Sequence, residues 1–151
     1  MLAPLRIIPR IDVRGKNVVK GVHLEGVRKV GKPGDLATKY AHQGADEILF
    51  MDVVASLYGR NNILPVLGEA ATDIFIPLTV GGGIRSIDDI TDVLRNGGDK
   101  VAINTEGINR PLFISEASKS LGSQCIVVSI EAKKTGTRNW EAYSHNGRQK
   151  T

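Results

Sequence analysis

Five short apolar runs, each followed by a polar turn and a stretch of helical periodicity, constrain this chain more than any other feature. RIIPRIDV (6–13), DEILFMDVVA (46–55), FIPLTV (75–80), KVAIN (100–104) and CIVVSIE (125–131) are of strand length. Their apolarity is continuous rather than alternating and rich in β-branched residues, as in parallel strands buried on both faces. Between them, DLATKYAHQG (35–44), NILPVLGEAA (62–71), SIDDITDVLRNG (86–97) and PLFISEASKSLG (111–122) predict amphipathic helices. Ser86 and Asp89 have the spacing of a capping box, and Gly44, Gly97 and Gly122 stand where a helix closes through a left-handed residue. Pro65 fits its helix only in the first turn. The expected fold is α/β, with four βα units plus a fifth strand.

Gly44-Ala45-Asp46-Glu47-Ile48 and Gly97-Gly98-Asp99-Lys100-Val101 echo each other at two helix-to-strand junctions 53 residues apart. A repeated βαβα unit suggests a barrel built of equivalent pieces. Residues 17–31 and 139–151 break the rhythm, each reading as a hairpin inserted after a strand, where an α/β barrel keeps its chemistry. A closed barrel of this kind needs about 250 residues. The 151 residues therefore predict one partial barrel domain, a half-barrel that pairs with something, an open sheet of another topology or a truncated copy of a longer protein.

The net charge of +4 is spread along the chain, densest at KKTGTR (133–138), and seven aromatic residues offer little stacking surface. No nucleic-acid-binding pattern is present. His23, His42 and His145 lack metal-ligand spacing, so no metal is expected. Cys125 lies in an apolar run and reads as a small core side chain. No run reaches the ~20 apolar residues of a membrane span, and the N-terminal residues lack the layout of a secretory signal. The expected location is the cytoplasm.

The chemistry concentrates at strand ends. TVGGGIRS (79–86) puts three glycines, Gly82 and Gly83 among them, between a strand and a helix start, where backbone N–H groups can meet a phosphate. The same glycines alone would also serve a tight turn. Asn104 and Thr105 end the next strand, close enough to share that phosphate. Asp12 and Glu131 end the first and fifth strands, which in an eight-stranded barrel lie opposite each other, an arrangement that suits acid–base catalysis. Asp52 ends the second strand as a third candidate. Lys20 on the first insert could neutralise substrate charge.

RIIPRIDV, VVKG, DEILFMDVVAS, IPLTVGGGIRS, DKVAINT and GSQCIVVSIEAK together resemble the cyclase subunit of imidazole glycerol phosphate synthase, of a histidine-biosynthetic (β/α)8-barrel family, through strand five. The resemblance implies a lyase that takes ammonia from a glutaminase partner subunit. Its substrate would be a bis-phosphorylated ribulosyl-formimino aminoimidazole carboxamide nucleotide, with no cofactor implied. It also implies catalytic roles for Asp12 and Lys20 and phosphate binding at Gly83, Asn104 and Thr105. Arg6, Glu47 and Lys100 would belong to a charged ring where ammonia enters, against the partner. Three departures stand out: Glu131 where the family has aspartate, Arg10 where it commonly has a small cysteine, and no second half. They admit two other readings, a paralogue working with an amidotransferase on surface sugars, and a non-catalytic phosphate-binding half-barrel whose open edges favour a homodimer.

Overall fold

The structure is a computed structural model that describes residues 5–22, 26–55, 63–145 and 147–151. His23, and Asn62 at the expected start of the second helix, lie outside the described residues. In chain order the elements are β1 (Arg10–Arg14), β2 (Asn17–Val22), β3 (Gly26–Gly31), α1 (Pro33–His42), β4 (Ile48–Asp52) and α2 (Leu64–Ala71). There follow β5 (Leu78–Gly81), α3 (Ile87–Arg95), β6 (Lys100–Ile103), α4 (Thr105–Asn109), α5 (Leu112–Leu121), a 3₁₀ turn (Ser123–Cys125) and β7 (Ile126–Val128). The chain closes with β8 (Glu131–Lys134), β9 (Trp140–Ser144) and β10 (Gln149–Lys150). The main sheet runs β3-β2-β1-β4-β5-β6-β7, and β10-β9-β8 form a second. Neighbours among β1, β4, β5, β6 and β7 are parallel, as the apolar runs predict.

Alternate residues of the parallel strands meet the helices. Ile11 and Val13, Ile48 and Phe50, Leu78 and Val80, and Val101 and Ile103 pack with Ala37 of α1, Leu67 of α2, Ile90 and Val93 of α3, and Phe113 of α5. Each of the larger side chains contributes about 1.5–3 kcal/mol by leaving water. The intervening residues, among them Asp12, Met51, Thr79 and Ala102, take the other face by the two-residue period of a strand. Ser86 caps α3 through a reciprocal pair with Asp89, and Pro65 occupies the first turn of α2. Among the described residues no helix is long and apolar enough to cross a membrane.

The sequence echo is a pair of equivalent clamps. Gly44 (φ 89°) and Gly97 (φ 96°) turn the chain out of a helix into a strand. Two residues later Asp46 donates its N–H to Ile7 O (2.9 Å) and takes the Ile7 N–H on Oδ2 (2.6 Å). Asp99 does the same to Leu78, at 2.8 Å for both bonds. Each aspartate seals both polar groups of a residue entering the neighbouring strand. Between the clamps sits Glu47, 4% exposed. Its carboxylate accepts from Arg6 Nη2 (2.8 Å), Lys100 Nζ (2.7 Å) and the Thr79 hydroxyl, tying the N-terminal ends of the strands together.

Four expectations need correction. The fifth strand ends at Val128, with one more ladder bond from Ser129 N to Ile103 O, so Glu131 opens β8 instead of closing that strand. Continuous apolarity could not reveal where the chain changes partner. The first insert is a hairpin, but β2 also joins β1 and extends the main sheet. The second insert is a three-stranded sheet beginning at Glu131, because Glu131 to Lys134 pair with Tyr143 to Trp140. Cys125 is half-buried in the 3₁₀ turn and is not a core residue.

Burial alone pushes the Glu47 carboxyl up, but hydrogen bonds from Lys100, Thr79 and Arg6 outweigh it and hold the group below its ordinary value of 4.5. A depressed carboxyl contributes stability that is complete above the ordinary value and is lost as pH falls through the folded value. Glu47→Gln is therefore expected to cost about 1–3 kcal/mol at neutral pH. In urea titrations at a series of pH values, the gap between the two proteins should shrink below pH 4.5, and a gap independent of pH would contradict this assignment.

Candidate active site at the strand ends

Where β4, β5 and β6 end, the chain encloses a cavity of about 220 Å³ lined by Asp52, Gly82, Gly83, Arg85, Asn104, Thr105, Glu131 and His145 among others. The glycine loop forms its floor. Gly82 (φ 99°) and Gly83 (φ 75°) are left-handed. A Cβ on Gly82 would collide with Asp52 O, and one on Gly83 would stand 2.8 Å from the Ala55 side chain. The loop thus needs glycine both for its torsions and to pass the end of β4. Among the described residues neither Gly82 N nor Gly83 N has a partner, so both N–H groups are available to a ligand.

Asp52 builds the adjoining wall. It is 3% exposed, and its Oδ1 accepts from Val54 N and Ala55 N, both at 3.0 Å. Burial pushes its carboxyl above the ordinary value, and the two backbone N–H groups oppose the shift. Arg85 is drawn over the same turn by a bond from Nη2 to Ala55 O (3.0 Å). Its position immediately before the α3 cap was the only sequence signal for it.

Asn104 and Thr105 reach the cavity, but their side chains are engaged within the protein. Asn104 Nδ2 donates to Ser129 O (2.9 Å) and to Tyr143 O (3.4 Å), while Thr105 Oγ1 accepts from His145 N (3.2 Å) and donates to Asn104 Oδ1 (3.3 Å). These bonds staple the second sheet to the end of β6. What this loop offers an anion is chiefly backbone, at the start of α4.

The proposed acids do not share the cavity. Glu131 lines it, and its Oε2 is buried without a hydrogen-bond partner among the described residues. Asp12 lies on the helix-free face of β1 and accepts from Arg10 Nε at 2.7 Å on Oδ1. Its strand and β7 are separated by four inter-strand steps, roughly 19 Å measured along the sheet. Lys20 is exposed on β2 opposite Arg28. Arg6, Glu47 and Lys100 meet at the other end of the strands, as described above. Sequence reasoning passed over His145, Glu106 and Asn109, which also line the cavity and lie in no recognisable motif.

Gly82→Ala should destabilise the protein by about 2 kcal/mol or more, because the methyl meets backbone and the torsion is strained. Gly34→Ala, in α1 with open space around it, should be neutral or slightly stabilising. Equal urea midpoints for the two variants would contradict the packing described.

A family model described as "Histidine biosynthesis protein" matches residues 6–151. Imidazole glycerol phosphate synthase subunit HisF of Legionella pneumophila is 53% identical over 150 residues, covering 99% of this chain and 71% of that protein. The family match and this relative each cover nearly the whole chain, and the chain belongs to the histidine biosynthesis protein family.

Proposed function

We propose that the chain carries the cyclase-type lyase chemistry of an imidazole glycerol phosphate synthase. Ammonia released from glutamine by a glutaminase partner attacks the phosphoribulosyl-formimino aminoimidazole carboxamide ribonucleotide. The ammonia nitrogen condenses with the ribulosyl ketone and displaces the carboxamide nucleotide at the formimino carbon, so that imidazole glycerol phosphate, the aminoimidazole carboxamide ribonucleotide and one water leave. The exchange involves no net oxidation, so no redox cofactor takes part.

The observation that carries this reading is the strand-end cavity, with two glycine N–H groups that have no partner among the described residues and a buried carboxylate oxygen. One substrate phosphate sits on Gly82, Gly83 and the backbone at Asn104–Thr105, as an anion does where a glycine loop meets a helix start. Glu131 and Asp12, from segments that would face each other across a closed barrel, divide proton transfer, one accepting and one donating, and Arg10 hydrogen-bonds one oxygen of Asp12. Lys20 approaches from the hairpin to balance substrate charge. The Arg6–Glu47–Lys100 cluster at the opposite strand ends is the partner face and the side from which ammonia arrives.

Only Glu131 favours a second reading, in which the acceptor is a surface sugar. It is one methylene longer than the family's aspartate, and its Oε2 has no partner among the described residues. A shift of about 1 Å at a catalytic group can cost about 10²-fold in rate.

Supplied with the nucleotide and an ammonium salt, a full-length version of the protein is expected to consume the substrate, followed by loss of its absorbance. Asp12→Asn should lower kcat by at least about 10²-fold. No turnover would sink the reading. Glu131→Asp should raise the rate, whereas a fall would favour the sugar acceptor.

A further inference from the structure

We propose that His145 is a substrate-binding residue of the strand-end cavity: held by Ser144, its imidazole donates a hydrogen bond to the anion seated on the glycine loop. The proposal rests on the reading above only in taking that cavity as an anion site.

β9 ends at Ser144, 3% exposed, and His145 follows with φ 53°. Among the described residues it is the one position other than glycine with positive φ. A glycine would hold this turn with less strain, so the turn itself does not account for a histidine. The backbone is nonetheless fixed, because His145 N donates to Thr105 Oγ1 (3.2 Å) and Tyr143 O accepts from Asn104 Nδ2 (3.4 Å). These bonds seat the turn against the end of β6, and the residue lines the cavity together with Gly82 and Gly83.

The ring is oriented as well. Ser144 Oγ lies 2.9 Å from Nδ1, and Nε2 has no partner among the described residues. A hydroxyl that donates to Nδ1 leaves the ring proton on Nε2, so the imidazole acts as a donor without being charged. The cavity needs such a donor. Asp52, Glu106 and Glu131 line it with three carboxylates, Glu106 paired with Arg110, and Arg85 on the same lining gives one of its N–H groups to Ala55 O. Without the imidazole, the backbone N–H groups and Arg85 would hold an anion beside three acidic side chains.

The test is titration with inorganic phosphate followed by ³¹P NMR, with thermal unfolding recorded in parallel. His145→Gly keeps the left-handed backbone and removes the ring. It should melt at the same temperature or higher and bind phosphate about tenfold more weakly, the effect of losing one strong hydrogen bond. His145→Asn, which tolerates the same backbone and retains an N–H donor, should recover most of the affinity. Wild-type affinity in the glycine variant overturns the proposal while leaving the cavity as an anion site. An asparagine variant no better than the glycine one also overturns it. Absence of saturable phosphate binding by the wild type removes the anion site itself, and His145 with it.

Discussion

The parallel register of β1, β4, β5 and β6 is fixed at the strand entrances by three carboxylates. Asp46 and Asp99 each seal both polar groups of one residue on the neighbouring chain segment, and Glu47 gathers donors from Arg6, Thr79 and Lys100. Register decides everything downstream, because a slip of one residue turns each side chain to the opposite face. In the observed register Ile11, Phe50, Val80 and Val101 go to the helices, and Asp12, Met51, Gly81 and Ala102 to the other face. The same register brings the ends of β4, β5 and β6 level, so that Asp52, the glycine loop and Asn104 meet around one cavity. A buried carboxylate without its donors would be costly, which makes the entrance cluster a strict condition on the fold.

Much of this was legible because the signals were local. Continuous β-branched runs marked the parallel strands, Ser86 with Asp89 marked the start of α3, and the glycine echo marked two clamps whose carboxylates perform the same task. The limits were equally physical. Glu131 follows the largely apolar run CIVVSI, yet in the strand ladder it lies opposite Tyr143, a pairing no periodicity could identify. Asn104 and Thr105 are expected from sequence to share a phosphate with the glycine loop, but sequence does not reveal that their side chains bond to Ser129, Tyr143 and His145, all more than 20 residues away. Cys125 looked like core because its neighbours are apolar, but the 3₁₀ turn lifts it partly out.

The second sheet changes how the site is understood. Read from sequence, residues 139–151 were an insertion after a strand. In the fold β9 forms a wall, bonded to the end of β6 and carrying Ser144 and His145 to the cavity. The glycine loop and this wall come from segments more than 50 residues apart and bracket the same small volume, with Glu131 at the base of the wall. Arg10 adds a second local constraint at the far edge of the parallel strands, where it hydrogen-bonds one oxygen of Asp12.

The central claim, that the strand-end cavity takes the phosphate of a substrate, is tested most directly by amide NMR. Titration with imidazole glycerol phosphate should move the Gly82, Gly83 and Thr105 amide signals together along one saturable curve, while Lys133 and Lys134, exposed on β8, stay still. Shifts confined to the lysine-rich strand, or none at the glycine loop, would contradict the account.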